Sequence, residues 1–220
     1  TRLTMEKEVW ESVSNYMGRT DWDYALSKVL NPQSSYYHVE EALRPVFLNT
    51  DKKWMCNDSN KLILFSTGCT SFWKGPDMML KTAKILKELD IEFEWQVAGN
   101  MKDEIKRVVE HHEKSTFESN HIKILGFLSP EEIIERLCLC SMYVHTAYIE
   151  NSPNSICEAQ YLGVPIVSTN VGGISSLVND KEEGKLVPAN DPWQMAYAII
   201  SIWRWLNESF NNRGIVWNWI

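Results

Sequence analysis

From residue 61 onward, short apolar runs alternate with longer stretches in which apolar residues recur every three or four positions. The apolar runs are continuous rather than alternating with polar residues, as expected for strands covered on both faces. They comprise residues 61–67, 93–99, 121–126, 142–146, 165–169 and 185–188. The intervening stretches 77–89, 102–112, 130–138 and 154–162 have helical spacing. This alternation predicts an α/β protein built on a Rossmann-like, doubly wound parallel sheet with right-handed crossovers.

The first part of the chain does not follow this pattern. Two helix-like segments at 5–14 and 21–30 alternate with short extended ones at 16–20 and 34–39. Two strands are too few to close a core of their own. We therefore interpret residues 1–55 as the tail end of a preceding N-terminal domain plus a linker, and residues 56–190 as the Rossmann-like domain.

Residues 191–220 predict a long helix, with Pro192 at its first helical position, followed by a tail. One stripe of this helix is apolar, with Ile202 and Trp205 lying off it, so two partners are expected. The stripe contains Ala196, Ile199, Ile200, Trp203 and Leu206. Together with Trp217 and Trp219 in the tail, this suggests a fragment whose C-terminal surfaces pack back on a missing N-terminal domain.

Composition excludes several classes of protein. The net charge is -7, which argues against nucleic acid as a partner. Five cysteines without C-x-x-C spacing favour free thiols over a disulfide framework or a zinc site. No apolar stretch reaches the ~18 residues of a membrane span, and no signal peptide opens the chain. We therefore expect a cytoplasmic protein.

Two loops at the carboxyl ends of predicted strands are candidates for ligand binding. The first loop, residues 66–76, contains Gly68, at which a ligand can come close to the backbone. It also contains Lys74, which brings a positive charge to the N-terminus of a predicted helix, a position that already attracts anions. The simpler alternative is an ordinary polar loop with a solvated lysine. The G-x-x-x-x-G-K-[ST] order of a phosphate-binding loop is absent, as is any G-x-G-x-x-G after a strand.

The second loop runs from Tyr148 into the helix 154–162 and places Glu150 before the helix and Glu158 within it. We expect Ser152 or Asn154 to cap this helix. Backbone N–H groups around Ser155 and Ile156 are then free to bind a diphosphate, while a carboxylate accepts two sugar hydroxyls. Alternatively, Glu158 only complements the helix dipole and Glu150 is solvated.

The run Glu-Asn-Ser-Pro-Asn-Ser-Ile-Cys-Glu-Ala at 150–159, followed by Leu-Gly-Val-Pro-Ile-Val at 162–167 and Val-Gly-Gly at 171–173, resembles family 4 of the retaining glycosyltransferases. Glu150 and Glu158 match the E-x7-E signature of nucleotide-sugar enzymes with the GT-B fold. The segment Gly-Arg-Thr-Asp-Trp-Asp at 18–23 resembles the end of the N-terminal domain in bacterial members from surface-polysaccharide gene clusters. The resemblance extends over roughly residues 16–200.

The resemblance implies roles for individual residues. Glu158 would hold the donor's ribose, Glu150 the transferred sugar, and Lys74 the departing diphosphate. The remaining donor-binding residues would be Gly68, Asn154, Ser155 and Ile156 around the diphosphate, and Phe127 and Leu128 beside the nucleobase. Two positions depart from the family pattern: Cys69 stands where many relatives carry an arginine, and Asn151 where glycine is commoner.

Other residues suggest weaker alternatives. Asp21 and Asp23 form a D-x-D triplet, which holds a metal in transferases of the other major fold, but here it opens a helix and lacks further oxygen ligands. His145 falls inside a strand and is interpreted as a satisfied core histidine rather than a catalyst. We expect no metal and no cofactor.

The resemblance thus implies the donor-binding half of a retaining hexosyltransferase, which we expect to be inactive alone. It would take a sugar from a nucleoside diphosphate, UDP or GDP, and pass it to a glycan or lipid-linked acceptor bound by the missing domain. Peripheral membrane association belongs to the same hypothesis for the full-length parent. The alternatives are a non-catalytic nucleotide-binding or assembly module, and a nucleotide-sugar epimerase or phosphorylase of the same fold.

Overall fold

Six parallel strands form one sheet, as the apolar runs predict. The computed structural model describes residues 1–55, 61–179 and 184–211, with side chains to residue 208; Cys56, Trp217 and Trp219 lie outside. Earlier in the chain come two short strands, β1 (Asn15–Gly18) and β2 (Ser35–His38). The strands of the main sheet are β3 (Leu62–Thr67), β4 (Phe93–Ala98), β5 (Ile122–Gly126), β6 (Met142–His145), β7 (Ile166–Thr169) and β8 (Gly184–Val187).

Helices connect these strands and cover both faces of the sheet. They are α1 (Arg2–Ser12), α2 (Asp21–Leu30), α3 (Pro45–Leu48), α4 (Pro76–Glu88), α5 (Asp103–Glu113), α6 (Pro130–Leu139), α7 (Asn154–Leu162) and α8 (Pro192–Asn211). The strand order is β5-β4-β3-β6-β7-β8, and every pairing in it is parallel. The order reverses between β3 and β6, and such a switch point opens a crevice at the carboxyl ends of the two strands.

Two apolar clusters, one on each face, hold the layers together. The first contains residues of α4, α5 and α8 around Trp95 of β4, and the second residues of α6 and α7 around Tyr143 of β6. Trp95 and Tyr143 are fully buried. Burying both faces of a sheet needs strands without polar alternation, which is why the continuous apolar runs predicted the fold.

The predicted stripe of α8 is buried. Ala196, Ile199, Ile200 and Leu206 are at most 9% exposed, and Trp203 packs on the first cluster. Ile202, expected on a second face, packs on the same cluster. Over the residues that the structure describes, no helix is both long and apolar enough to cross a membrane.

Residues 1–49 add a small layer beside the main sheet. Strands β1 and β2 pair in parallel, and α1 and α2 flank them. Thr20 caps α2 in a reciprocal capping box with Asp23, as expected for a triplet that opens a helix. The short helix α3 was not predicted; its Phe47 is fully buried in the second cluster. Through α3 this segment is anchored to the face that carries α7.

Candidate functional site

The loop after β3 is attached to the segment that follows β6 by two hydrogen bonds to its backbone carbonyls. Lys74 ends a short 3-10 helix, its carbonyl accepts a hydrogen bond from the Thr146 hydroxyl at 2.8 Å, and the Trp73 carbonyl accepts one from the Tyr148 N–H at 2.7 Å. Gly75 has φ +69°, and a Cβ there would lie 1.9 Å from the Thr146 carbonyl oxygen. Only glycine allows this approach, so the Lys74–Gly75 pair has a fixed position in the crevice.

Lys74 and Glu150 meet directly in that crevice. The Lys74 ammonium donates to Glu150 Oε2, and the two side chains are 29% and 17% exposed. The structure therefore brings together the two residues predicted to act on the transferred sugar and the diphosphate. A neighbouring cation and carboxylate in a half-buried crevice attract each other more strongly than a surface pair would.

His145 lies behind this ion pair. Its Nε2 atom is 3.8 Å from Glu150 Oε2, and its Nδ1 atom is 3.5 Å from the Ser168 hydroxyl. Burial, helped by the charge of Lys74, lowers the pKa of His145 to about 3. The imidazole is thus neutral at physiological pH, and its burial beside Ser168 agrees with the interpretation of His145 as a core histidine.

Glu158 lies on α7, only 4% exposed, and has a partner that the sequence analysis missed. Arg44 donates from Nε to Oε1 at 2.6 Å and from Nη2 to Oε2 at 2.9 Å. Such a bidentate fork compensates a buried carboxylate better than a single contact. Arg44 lies immediately before α3 and 114 residues from its partner.

The N-terminus of α7 differs from the prediction. Pro153 is the N-cap residue without a side-chain capping bond, so the prediction that Ser152 or Asn154 caps the helix is wrong. The Ser152 hydroxyl instead donates to Glu41 at 2.7 Å. Ile156 N–H is not free as expected, because it donates to the Pro153 carbonyl at 3.0 Å. Within the described parts of the chain, the N–H groups of Asn154 and Ser155 have no acceptor.

The Val-Gly-Gly segment after β7 packs against the backbone of Glu150. Gly173 N–H donates to the Glu150 carbonyl at 3.3 Å. Gly172 has φ +54°, and a Cβ there would lie 1.8 Å from the same carbonyl oxygen. At Gly173 a Cβ would meet Thr20 at 2.5 Å and the Asn151 carbonyl oxygen at 2.6 Å. Both glycines are therefore required by the close packing of this segment on Glu150 and Asn151.

Comparison with known proteins identifies the family. The profile of glycosyl transferases group 1 matches residues 50–209, well over half of the chain. The chain belongs to this family.

Two relatives of this chain are named as glycosyltransferases. An uncharacterized glycosyltransferase of Methanocaldococcus jannaschii is 26% identical over 155 residues, which cover 66% of this chain and 42% of the relative. The amylovoran biosynthesis glycosyltransferase AmsK of Erwinia amylovora is 25% identical over 137 residues, covering 59% of this chain and 33% of AmsK. The chain thus spans less than half the length of the curated relatives it matches.

Solved structures confirm the fold. Anabaena HepE, determined in complex with UDP-glucose, superposes with a TM-score of 0.70 at 15% identity, covering 96% of this chain and 67% of HepE. This chain therefore has the α/β, Rossmann-like parallel sheet of the GT-B glycosyltransferases. The alternation of apolar runs and helical stretches predicted the sheet, and the resemblance to family 4 implied the GT-B fold.

The remaining predicted donor-binding residues lie in loops that follow β3 and β5. Gly68 has φ +83°, and its Cβ position faces open space, so a ligand can approach the backbone there. Phe127 is 81% exposed after β5, whereas Leu128 packs on the second cluster. Cys69 is buried, which raises the pKa of its thiol to about 12 despite the charge of Lys74. It remains neutral and contributes no cation.

The metal alternative has no structural support. Both carboxylate oxygens of Asp23 accept hydrogen bonds from protein donors. Across residues 1–55, 61–179 and 184–211, no cluster of three or more His, Cys, Asp or Glu side chains that could hold a metal ion is found.

Proposed function

We propose that this chain is the donor-binding half of a retaining hexosyltransferase that uses a nucleoside-diphosphate sugar, in the biosynthesis of a surface polysaccharide or related glycan. The observation that carries the proposal is the direct Lys74–Glu150 contact at the switch point of the sheet, next to the N-terminus of α7. Family membership, the biosynthetic role named for AmsK, and the UDP-glucose bound by HepE support it.

The diphosphate would lie between Lys74 and the N-terminus of α7. The ammonium and the backbone N–H groups of Asn154 and Ser155, with the helix dipole behind them, stabilise negative charge as the sugar–phosphate bond breaks. Gly68 allows the diphosphate to come close to the first loop. When an anion binds, Lys74 exchanges part of its contact with Glu150 for phosphate oxygens.

The sugar and the nucleoside occupy the two sides of this anion site. Glu150 accepts hydroxyl hydrogens of the transferred sugar and offsets the positive charge that develops on its ring. Glu158 accepts the ribose hydroxyls: its two oxygens offer about four acceptor positions, and Arg44 uses two. Phe127 flanks the base. These donors require neither a metal nor a cofactor, and a glycan or lipid-linked acceptor would bind outside this chain.

A binding titration tests the donor site. Calorimetry with UDP, GDP and ADP should give micromolar to millimolar affinity for at least one of them. Glu158→Ala should weaken this binding by about 2 kcal/mol, roughly thirtyfold, and Lys74→Met by roughly tenfold or more. Glu135→Ala is the control, because its carboxylate pairs with Lys52 on the exposed surface of α6.

The titration also separates the proposal from its rival. A non-catalytic assembly module is favoured by one observation, the buried neutral Cys69 where many relatives of this kind have a cation. Failure of all three nucleotides to bind would favour the module. Transfer or hydrolysis of a nucleotide sugar by a longer parent protein, unaffected by a chelator, would support the transferase without a metal; loss of activity with the chelator would contradict that part.

A further inference from the structure

Asn151, directly after Glu150, is held by the N-terminal segment. The Thr20 hydroxyl donates to Asn151 Oδ1 at 2.6 Å, and Asn151 Nδ2 donates to Asp23 Oδ2 at 3.0 Å. The amide therefore uses both its acceptor and its donor on residues about 130 positions earlier. A glycine, the commoner residue at this position in related proteins, would make neither contact.

Asp23 is the centre of this contact. Besides Asn151, its carboxylate accepts the N–H groups of Arg19 at 3.0 Å and Thr20 at 3.2 Å and the Tyr36 hydroxyl. Burial would raise the pKa of Asp23, but these hydrogen bonds outweigh it and lower the pKa below its ordinary value. The Asn151 amide thus binds a carboxylate that stays charged and fixed in orientation.

A second contact holds the next residue of the loop. Glu41 accepts the Ser152 hydroxyl at 2.7 Å and forms an ion pair with Arg19 at 2.6 Å, and its own side chain is 8% exposed. We call Thr20, Asp23, Glu41, Asn151 and Ser152 the loop clamp. The loop clamp fixes the chain just after Glu150, while the Gly172–Gly173 segment contacts the Glu150 carbonyl.

We propose that the loop clamp is a positioning device for Glu150, with Asp23 and Asn151 as its positioning residues for the transferred sugar. This inference rests on the proposed function, since it assigns the contact to the sugar-binding carboxylate. Among the residues that the structure describes, the hydrogen bond to the Glu150 carboxylate comes from Lys74, a side chain that must also bind the diphosphate. The loop clamp supplies the second anchor, which does not depend on the ligand. The side-chain polar atoms of Asp23 and Asn151 are engaged with protein groups, so we assign these residues a role in positioning and not in catalysis.

The readout that isolates Glu150 is the dissociation constant for a nucleotide sugar divided by that for the nucleoside diphosphate. UDP and UDP-glucose are the first pair and GDP and GDP-glucose the second, measured by calorimetry on this chain. A general loss of stability moves both constants together and leaves their ratio fixed, whereas a displaced Glu150 changes the ratio itself. Glu150→Gln, measured first, sets the size of the change in this ratio when the carboxylate is lost.

The central variant is Asn151→Asp, which places a carboxylate against that of Asp23. We expect the ratio to rise at least about fivefold, with the nucleoside diphosphate constant unchanged within about twofold. Adding Asp23→Asn restores an amide–carboxylate contact of reversed direction, so it should bring the ratio most of the way back to its wild-type value. Lys52→Ala is the control: it breaks another ion pair between the N-terminal segment and the domain, at Glu135 of α6, and should leave the ratio unchanged.

The outcomes separate the two proposals. If wild-type protein binds none of UDP, GDP and ADP, the proposed function fails and the positioning role fails with it; if ADP alone binds, ADP and ADP-glucose form the pair. If it binds them but Asn151→Asp leaves the ratio unchanged, or the double variant does not recover, only the positioning role is wrong. If Asn151→Asp does not fold, Asn151→Gly, which removes the amide without adding charge, must raise the ratio instead, and an unchanged ratio overturns the inference.

Discussion

Glu150 and Glu158 lie eight positions apart in the sequence, yet their surroundings differ. Glu150 is partnered by Lys74 from the neighbouring strand end of the same sheet, and its backbone is packed on two glycines. Glu158 is partnered by Arg44, which precedes the sheet in sequence and reaches a carboxylate that is almost fully buried. The Glu150 carboxylate is thus paired within the architecture that creates the crevice, whereas the Glu158 carboxylate is paired with a segment added to it.

This difference indicates which carboxylate is free to exchange partners. Lys74 and Glu150 keep some solvent exposure, so a phosphate can replace part of their contact at little desolvation cost. Glu158 has 5% side-chain exposure and depends on the Arg44 fork to remain a buried charge. We therefore expect the Glu150 side to rearrange when a donor binds, and the Glu158 side to stay as it is.

The largest effect is expected at the backbone under Glu150. Gly172→Ala must adopt φ +54° and also clear the Glu150 carbonyl oxygen, so it should cost about 3 kcal/mol or more in unfolding free energy and weaken donor binding more than tenfold. Gly163→Ala is the matched control, because Gly163 also has a left-handed backbone, φ +83°, but nothing lies within 4 Å of its Cβ position. It should cost only about 1–2 kcal/mol. Urea unfolding that gives equal losses would mean that Glu150 is not held by this contact.

The next prediction compares the loss of stability when either of two cations, Arg44 or Lys74, is removed. Arg44→Met leaves the buried Glu158 carboxylate without its fork. A fully buried pair would lose about 3–5 kcal/mol, but Arg44 is 38% exposed, so we expect about 1–2 kcal/mol. Lys74→Met should cost less than about 1 kcal/mol of stability while weakening nucleotide binding more strongly. Urea unfolding and calorimetry on both variants measure this, and a larger stability loss for Lys74→Met would reverse the contrast.

Much of the fold was predictable because its signal is local. A parallel sheet covered on both faces requires continuous apolar strands, and amphipathic helices must lie between them, so β3 to β8 and α4 to α7 follow from patterning. The pairing of Lys74 with Glu150 follows as well, since both lie in loops at the carboxyl ends of adjacent strands, where the switch point brings them together.

The partners supplied by residues 1–49 were not predictable in this way. Arg44 and Asp23 lie more than 100 residues from Glu158 and Asn151, and neither position has a periodicity that indicates its target. The capping of α7 was misassigned because Ser152 had an unforeseen competitor in Glu41. The one available signal was Asn151, a departure from the commoner glycine; a polar residue there requires a partner, and the structure supplies Thr20 and Asp23.

The last effect concerns acid, and it arises on the Glu150 side. His145 has an ordinary pKa of 6.5 when unfolded and about 3 when folded, chiefly because of burial. Between these values the unfolded chain binds one more proton than the folded one, so stability is complete above pH 6.5 and falls as the pH drops toward 3. From pH 6.5 to pH 5 the loss should reach about 1.5 kcal/mol.

Urea unfolding of the wild type and of His145→Gln at several pH values measures this contribution. His145→Gln should lose most of the dependence of the unfolding free energy on pH between pH 6.5 and 5. This window lies above the pH range in which carboxylates with lowered pKa values, such as Glu94 at about 2, contribute to acid sensitivity. Lys74→Met should raise the pKa of His145, because it removes the cation that helps to keep the ring neutral, and so make the slope shallower. If both His145→Gln and Lys74→Met keep the pH dependence of the wild-type unfolding free energy, His145 is not the source of the acid sensitivity.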